Sequence, residues 1–135
     1  ACRAGTETKY YFGDSLEQSS EYAFFGPSLL ATAGPESLGL IHMVAQKKPN
    51  NYGLYDMHGG VAELCADWNN VNYYKKLAGK TSINPTGPVS GTAKVIRGGN
   101  SFTGGNYGTS SFRFSWVRPE QGSYDIGFRV LQVID

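Results

Sequence analysis

Short apolar stretches separated by long polar ones run through the chain. The first, Leu38-Gly39-Leu40-Ile41-His42-Met43-Val44, predicts a strand or a buried extended segment. Gly59-Gly60 predicts a tight turn, because glycine takes positive φ freely, and a strand over Val61 to Trp68 follows it. Lys94-Val95-Ile96-Arg97 predicts another strand, ended by Gly98-Gly99. From Ser110 to Val117 the pattern alternates: Phe112, Phe114 and Trp116 share one face, and Arg113, Ser115 and Val117 the other. Ile126-Gly127-Phe128-Arg129-Val130-Leu131-Gln132-Val133 predicts a closing strand. Between these, residues 1–37 and 69–93 read as irregular. Ala1 to Gly5 has the look of a last helical turn capped by glycine. Tyr10-Tyr11-Phe12-Gly13-Asp14 and Glu21-Tyr22-Ala23-Phe24-Phe25 read as aromatic anchors that pin polar loops to a core. There is no internal repeat and no low-complexity linker.

Composition sharpens this picture. Of 135 residues, 18 are Gly, 9 Tyr, 7 Phe and 2 Trp. Abundant glycine favours turns over long helices, and abundant aromatics supply much area per residue, for a core or for a contact surface. The length suits one small domain, 1–135. Lys and Arg number 12 against 11 Asp and Glu, for a net charge of +1. That balance argues against a nucleic-acid surface. No apolar run nears the ~20 residues that cross a bilayer, which argues against membrane insertion. The two cysteines, Cys2 and Cys65, exclude a disulfide-dense scaffold. Whether they pair is left open, since pairing depends on geometry.

Several motifs of catalysis are incomplete. Gly79-Lys80-Thr81 resembles the end of a phosphate loop, but Tyr74 stands where its first glycine is needed. His42 and His58 have no metal-ligand spacing with the cysteines, so each reads as structural or superficial. No strand–turn–helix nucleophile elbow is present. Asn84-Pro85-Thr86 has the proline that blocks glycosylation. Asp56, Glu63 and Asp67 match no known calcium loop, and salt bridges or turn caps suit them better.

Six blocks, in order, resemble the formylglycine-generating enzyme (sulfatase-modifying factor) family, a branch of the C-type lectin fold. They are Ala1-Cys2-Arg3-Ala4-Gly5-Thr6 with Tyr11-Phe12-Gly13-Asp14; Lys48-Pro49-Asn50 with Gly53-Leu54-Tyr55-Asp56-Met57-His58-Gly59; Glu63, Cys65, Asp67 and Trp68; Asn84-Pro85-Thr86-Gly87-Pro88; Val95-Ile96-Arg97-Gly98-Gly99; and Ile126-Gly127-Phe128-Arg129-Val130. The resemblance implies an α+β, C-type lectin-like fold with short twisted antiparallel strands, long ordered loops and little helix. Trp68 and Phe128 become expected core anchors. Arg97, Arg113 and Arg129 are expected to hold loop carbonyls or carboxylates, with Glu63 as one partner. Family domains extend upstream of the first block, so the chain reads either as a minimal form or as the C-terminal part of a longer domain.

The chain departs from the enzymes of that family. They carry a redox cysteine pair between the Gly-Gly turn and the closing Gly-Phe-Arg, whereas residues 100–126 contain none. Thiol oxidation needs the thiolate, so formylglycine formation is not expected. Gly60 replaces an Asn, which weakens any inherited calcium site; no cofactor is expected. What lies between the matching frames, residues 100–126, is rich in Tyr, Ser, Gly, Asn and Trp, a paratope-like mixture. A fixed frame around a divergent C-terminal insert resembles the variable proteins of diversity-generating retroelements. This resemblance implies a non-enzymatic domain that binds a protein or cell-surface ligand. The expected face is Phe102, Thr103, Asn106, Tyr107, Thr109, Phe112, Phe114, Trp116, Ser123, Tyr124 and Asp125. The rings at 112, 114 and 116 are otherwise core. Two further readings stay open: part of an oxidoreductase like the formylglycine-generating enzymes, and a structural subunit of a larger assembly.

Overall fold

The computed structural model describes residues 1–26 and 42–132, with the backbone alone at Ser115 and Trp116. The strands are β1 (Ala62–Trp68), β2 (Lys94–Arg97), β3 (Phe114–Val117) and β4 (Ile126–Gly127). Two helical segments of about one turn, α1 (Ser19–Tyr22) and α2 (Tyr73–Leu77), and a 3-10 turn at Gly105–Gly108 complete the described elements. The strands form one four-stranded sheet in the order β3-β2-β1-β4. β1 pairs antiparallel with β2, placing Leu64 opposite Ile96, and β2 pairs antiparallel with β3, placing Ile96 opposite Phe114. β4 instead pairs parallel with β1, with Ala62 opposite Ile126. This parallel pair joins the antiparallel strands that were expected. β3 and β4 occupy opposite edges and run the same way, so the 118–125 link has to cross the sheet and return.

Directly paired residues point to the same face of a sheet. Ala62, Leu64, Ile96, Phe114 and Ile126 therefore lie on one face. Val95, which is 1% exposed, lies on the other with Glu63 and Arg97. The buried core extends from the sheet into the N-terminal segment. Tyr10 and Tyr11 are both buried, Tyr10 stacks on Phe12 at 4.9 Å, and Tyr11 stacks on His58 at 5.0 Å. Tyr11 Oη donates to the Lys48 carbonyl at 2.7 Å and lies 3.1 Å from the Tyr22 carbonyl. The aromatic anchors expected at 10–14 and 21–25 thus fix loops through both their rings and their hydroxyls.

The arginines act as the sequence suggests. Arg97 donates to the Phe112 carbonyl at 2.8 Å. Arg113 pairs with Asp67 at 3.3 Å and lies 5.2 Å from the Tyr74 ring. Arg129 pairs with Glu63 and reaches the Tyr55 and Asp56 carbonyls. Asp56 accepts from the Ala45 N–H at 2.7 Å.

Other expectations are corrected. The closing strand has only Ile126 and Gly127, because β1 offers them only its first two positions. Beyond them Arg129 is drawn to Glu63, and Phe128 is 74% exposed rather than a core anchor. Trp68 is half-buried: its ring carries Lys94 Nζ 3.9 Å from its centre. Phe112 precedes β3 because its carbonyl is held by Arg97. Residues 1–5 form turns, with Ala4 at φ +45 and Gly5 at φ +93, and no helix. Of the apolar run at 38–44, residues 38–41 lie outside the described residues, and Met43 and Val44 are exposed.

The turn at Gly59-Gly60 gives a paired test. Gly59 has φ +73, and a Cβ there would sit 2.5 Å from the Phe24 carbonyl oxygen. Gly60 has φ +69, but its Cβ would meet nothing within 4 Å. Urea unfolding should show Gly60→Ala costing about 1 kcal/mol, for backbone strain alone. Gly59→Ala should cost about 3 kcal/mol, since a backbone neighbour must also move. Equal costs would mean that Phe24 does not pack on this turn as described.

Candidate functional site

The segment from Asn100 to Asp125 is held mainly through its backbone, by groups outside it. Ser101 N–H donates to the Gly60 carbonyl at 2.8 Å, and the Thr103 carbonyl accepts from Gly26 N–H at 3.0 Å. Tyr10 Oη donates to the Gly105 carbonyl at 3.1 Å. Ser110 N–H donates to the Lys9 carbonyl at 2.7 Å, and Arg97 takes the carbonyls of Ser110 and Phe112. Gly99, at φ +70, opens the segment; a Cβ there would lie 2.9 Å from the Gly108 Cα, so two strands of backbone pass where no side chain fits.

Within the segment, Asn100 is the internal tie and is 7% exposed. Its Oδ1 accepts from the Phe102 N–H at 3.1 Å, its N–H meets Thr103 Oγ1 at 3.2 Å, and its Nδ2 donates to Asp125 Oδ2 at 2.7 Å. This is an Asx turn whose amide also reaches the far end of the segment. The Asn100-x-x-Thr103 spacing was the available signal for it, and the sequence reading passed over Asn100.

The structure sorts the expected face into three groups. Tyr107, Phe112 and Phe114 form one ring cluster, with Phe112 and Phe114 centred 4.7 Å apart and Tyr107 5.3 Å from Phe112. All three are half-buried. Phe102 and Tyr124 form a second pair at 5.2 Å, and Tyr124 is 84% exposed. Thr103, Ser123 and Asp125 lie around Asn100, with Ser123 Oγ donating to Asp125 Oδ1. Asn106 is exposed and Thr109 half-buried, its hydroxyl 3.5 Å from Ser111 Oγ. Trp116 belongs to β3 by its backbone, and its side chain lies outside what is described.

Two clefts draw on these groups. A cleft of about 450 Å³ lies over the sheet face that carries Ile96 and Phe114, bordered by Asn100, Thr103, Ser123 and Asp125. A second, of about 580 Å³, has mostly apolar walls, including Phe24, Tyr55, Phe102, Tyr124 and Phe128. Asn106, Tyr107, Thr109 and Phe112 border neither. Gln121 and Gly122 on the first cleft, and Tyr55 and Phe128 on the second, were not anticipated. Nothing local in the sequence places these loops over the sheet.

The half-buried Cys2 thiol and the buried His58 imidazole were not anticipated as a pair. Cys2 Sγ lies 3.7 Å from His58 Nε2 and 3.7 Å from Ser110 Oγ. Burial pushes the Cys2 thiol up, against the weaker pull of Ser110 and nearby positive charges. Burial also drives His58 down to about 4, and a hydrogen bond to the Gly108 backbone only partly opposes it. Both groups are therefore neutral near pH 7, the reverse of a thiolate–imidazolium pair. His58 Nε2 accepts from the Tyr11 N–H at 3.2 Å, so protonating the ring costs that bond as well. Cys65 is also free, so the open question of pairing is answered: neither cysteine is in a disulfide. Glu63 and Asp67 are committed to arginines and Asp56 to a backbone N–H. Among the described residues no three His, Cys, Asp or Glu side chains converge as metal ligands.

Residues 1–134 match the sulfatase-modifying factor enzyme 1-like domain. The formylglycine-generating enzyme of Thermomonospora curvata is 46% identical over 52 residues, which is 38% of this chain and 17% of the enzyme. The serine/threonine-protein kinase pkn1 of Chlamydia pneumoniae is 45% identical over 91 residues, 67% of this chain and 12% of the kinase. Among solved structures, Treponema denticola variable protein 1 superposes with a TM-score of 0.70 at 30% identity, covering 94% of this chain and 41% of that protein. PvdO from Pseudomonas aeruginosa gives a TM-score of 0.70 at 22% identity, a likeness of fold. The chain spans less than half the length of each of these proteins. The fold is the α+β, C-type lectin-like fold of the formylglycine-generating enzyme type.

His58 supplies a pH test. Its folded pKa lies below the unfolded value of 6.5, so the unfolded chain binds its proton first as pH falls. The stability it contributes is complete above about pH 6.5 and is lost progressively toward pH 4, by roughly 3 kcal/mol. Denaturation across this range should show that loss, and His58→Gln should flatten it. An unchanged slope in the variant would assign the proton uptake to another group.

Proposed function

The chain belongs to the sulfatase-modifying factor enzyme 1-like domain family, and we propose that within it this chain is a non-enzymatic binding domain. It presents the side chains of residues 100–125 to a protein or cell-surface ligand. The observation that carries this reading is the way the segment is held. Gly60, Gly26, Lys9, Tyr10 and Arg97 grip its backbone from outside. Its conformation is thereby made largely independent of side chains such as Asn106, Ser111, Gln121 and Tyr124, which are exposed. A surface of that kind can change its side chains at little cost, because exposed substitutions usually stay within about ±0.5 kcal/mol.

Likeness to a variable protein over nearly the whole chain supports the same reading. It agrees with the resemblance to retroelement-diversified proteins drawn from the segment's composition. The formylglycine-generating relatives favour a second reading, an oxidoreductase fragment. Against it stand the absence of cysteine from residues 100–126 and the neutral state of Cys2 and His58.

A display library of the full-length protein, randomised at Asn106, Ser111, Gln121 and Tyr124, tests the proposal. Most members should fold, with Tm within about 3 °C of the parent. Selection against a fixed panel of purified proteins should yield binders. By contrast Asn100→Ala should cost about 2 kcal/mol, because it strands the Phe102 N–H and frees Asp125. General unfolding of the library, or oxygen consumption by the parent protein with a cysteine-containing peptide, would overturn the binding reading.

A further inference from the structure

We propose that the cleft beneath the 118–125 crossing takes a lysine or arginine side chain of a protein partner, its hydrocarbon stem on the sheet and its charged head on Asp125. This inference rests on the reading of residues 100–125 as a binding face, and it adds the chemistry of what binds.

The floor is fixed by strand register. Ala62 opposite Ile126, and Ile96 opposite Phe114, put these four side chains on one face across all four strands. The crossing link passes over that face, and a cleft of about 450 Å³ remains between them. That volume lies within the usual range of ligand-sized pockets, which combine apolar walls with a few fixed polar groups. Asp125 borders the opening, and its place is set twice. Its backbone carbonyl accepts from the Ala62 N–H at 2.9 Å, and its Oδ2 accepts from the nearly buried Asn100 amide at 2.7 Å.

The charge at this position has no counterpart. The ion pairs among the described residues are Lys48–Glu21, Arg113–Asp67 and Arg129–Glu63, and none includes Asp125. Its carboxylate accepts from two neutral donors, Asn100 Nδ2 and Ser123 Oγ. A carboxylate has about four acceptor sites, so about half its capacity remains for a ligand. An anionic group would be repelled, and a purely apolar one would leave the carboxylate without a new partner. A long aliphatic stem ending in a cation satisfies both the floor and the rim, which is how lysine and arginine lie on apolar surface.

The test uses amino-acid amides as probes in ligand-observed NMR titrations of the full-length protein. Nα-acetyl-lysinamide should bind saturably. Nα-acetyl-norleucinamide has a similar stem without the charge and should bind about tenfold more weakly. Asp125→Asn keeps an oxygen for Asn100 and a polar partner for Ser123 while removing the charge. It should weaken the lysine probe about tenfold and leave the norleucine probe unchanged. Equal binding of the two probes to the parent, which needs no variant, would overturn the proposal, as would equal binding of the lysine probe to parent and Asp125→Asn. The outcome is separable from that of the display library. Library binders that hold their targets equally well with Asp125→Asn leave the display reading standing and remove this one. Charge-dependent probe binding beside a library that yields no binders keeps the cleft's preference for a cation and removes the display of the segment's exposed side chains.

Discussion

Two backbone hydrogen bonds carry the organisation of this domain. Gly59 N–H donates to the Gly98 carbonyl at 2.9 Å, and the Gly60 carbonyl accepts from Ser101 N–H at 2.8 Å. They join a turn ahead of β1 to a turn behind β2, so the antiparallel pair at the centre of the sheet is clasped at one end. Phe24 packs its own backbone against Gly59, and its carbonyl accepts from Gly60 N–H at 2.8 Å, which brings the N-terminal segment to the same point. Backbone-to-backbone contact this close requires that side chains be missing, and it leaves little freedom to slide. The 100–125 segment therefore begins from a fixed position.

From that point the segment is positioned by side chains reaching in from the frame. Arg97 is the main example: it stands on β2 and takes carbonyls at Ser110 and Phe112, where the chain turns into β3. Charge-assisted bonds of this kind are worth more than neutral ones. Arg113 and Arg129 do the same work elsewhere, tying the chain just before β3 to Asp67 and the chain after β4 to Glu63. Short strands and helices of one turn satisfy few backbone groups by themselves. Arginines and tyrosine hydroxyls supply the remainder, which is how so much loop holds a single course.

The local parts of this arrangement were legible in the sequence. β2 runs from Lys94 to Arg97 as read, and β1 starts at Ala62, one residue inside the stretch read from Val61. The roles of the arginines and of Glu63 were legible too, because an arginine among glycines and short strands has few other uses. What stayed hidden depends on which element covers which. Alternation at 112–116 reports a shared face but not whether another element lies over it. The parallel seat of β4 and the placing of Ser123, Tyr124 and Asp125 on the clefts follow from the crossing of 118–125. Cys2 and His58 stand 56 positions apart, and no spacing rule connects them.

The Cys2–His58 pair also bears on where function resides. A thiol and an imidazole at 3.7 Å, with Ser110 beside them, have the components of a nucleophilic site but not its electrostatics. Desolvation acts on both groups in the direction of neutrality, raising the thiol and lowering the imidazole. The Tyr11 N–H fixes Nε2 as an acceptor, and stacking of Tyr11 on the ring keeps water away. The two neutral groups meet at the place where the N-terminal turn reaches Gly108 and Ser110. On the binding reading this is a division of labour: inward polar groups are neutralised to hold the scaffold still. Charge free to meet a partner is left to the outward segment, where Asp125 is held by neutral donors alone.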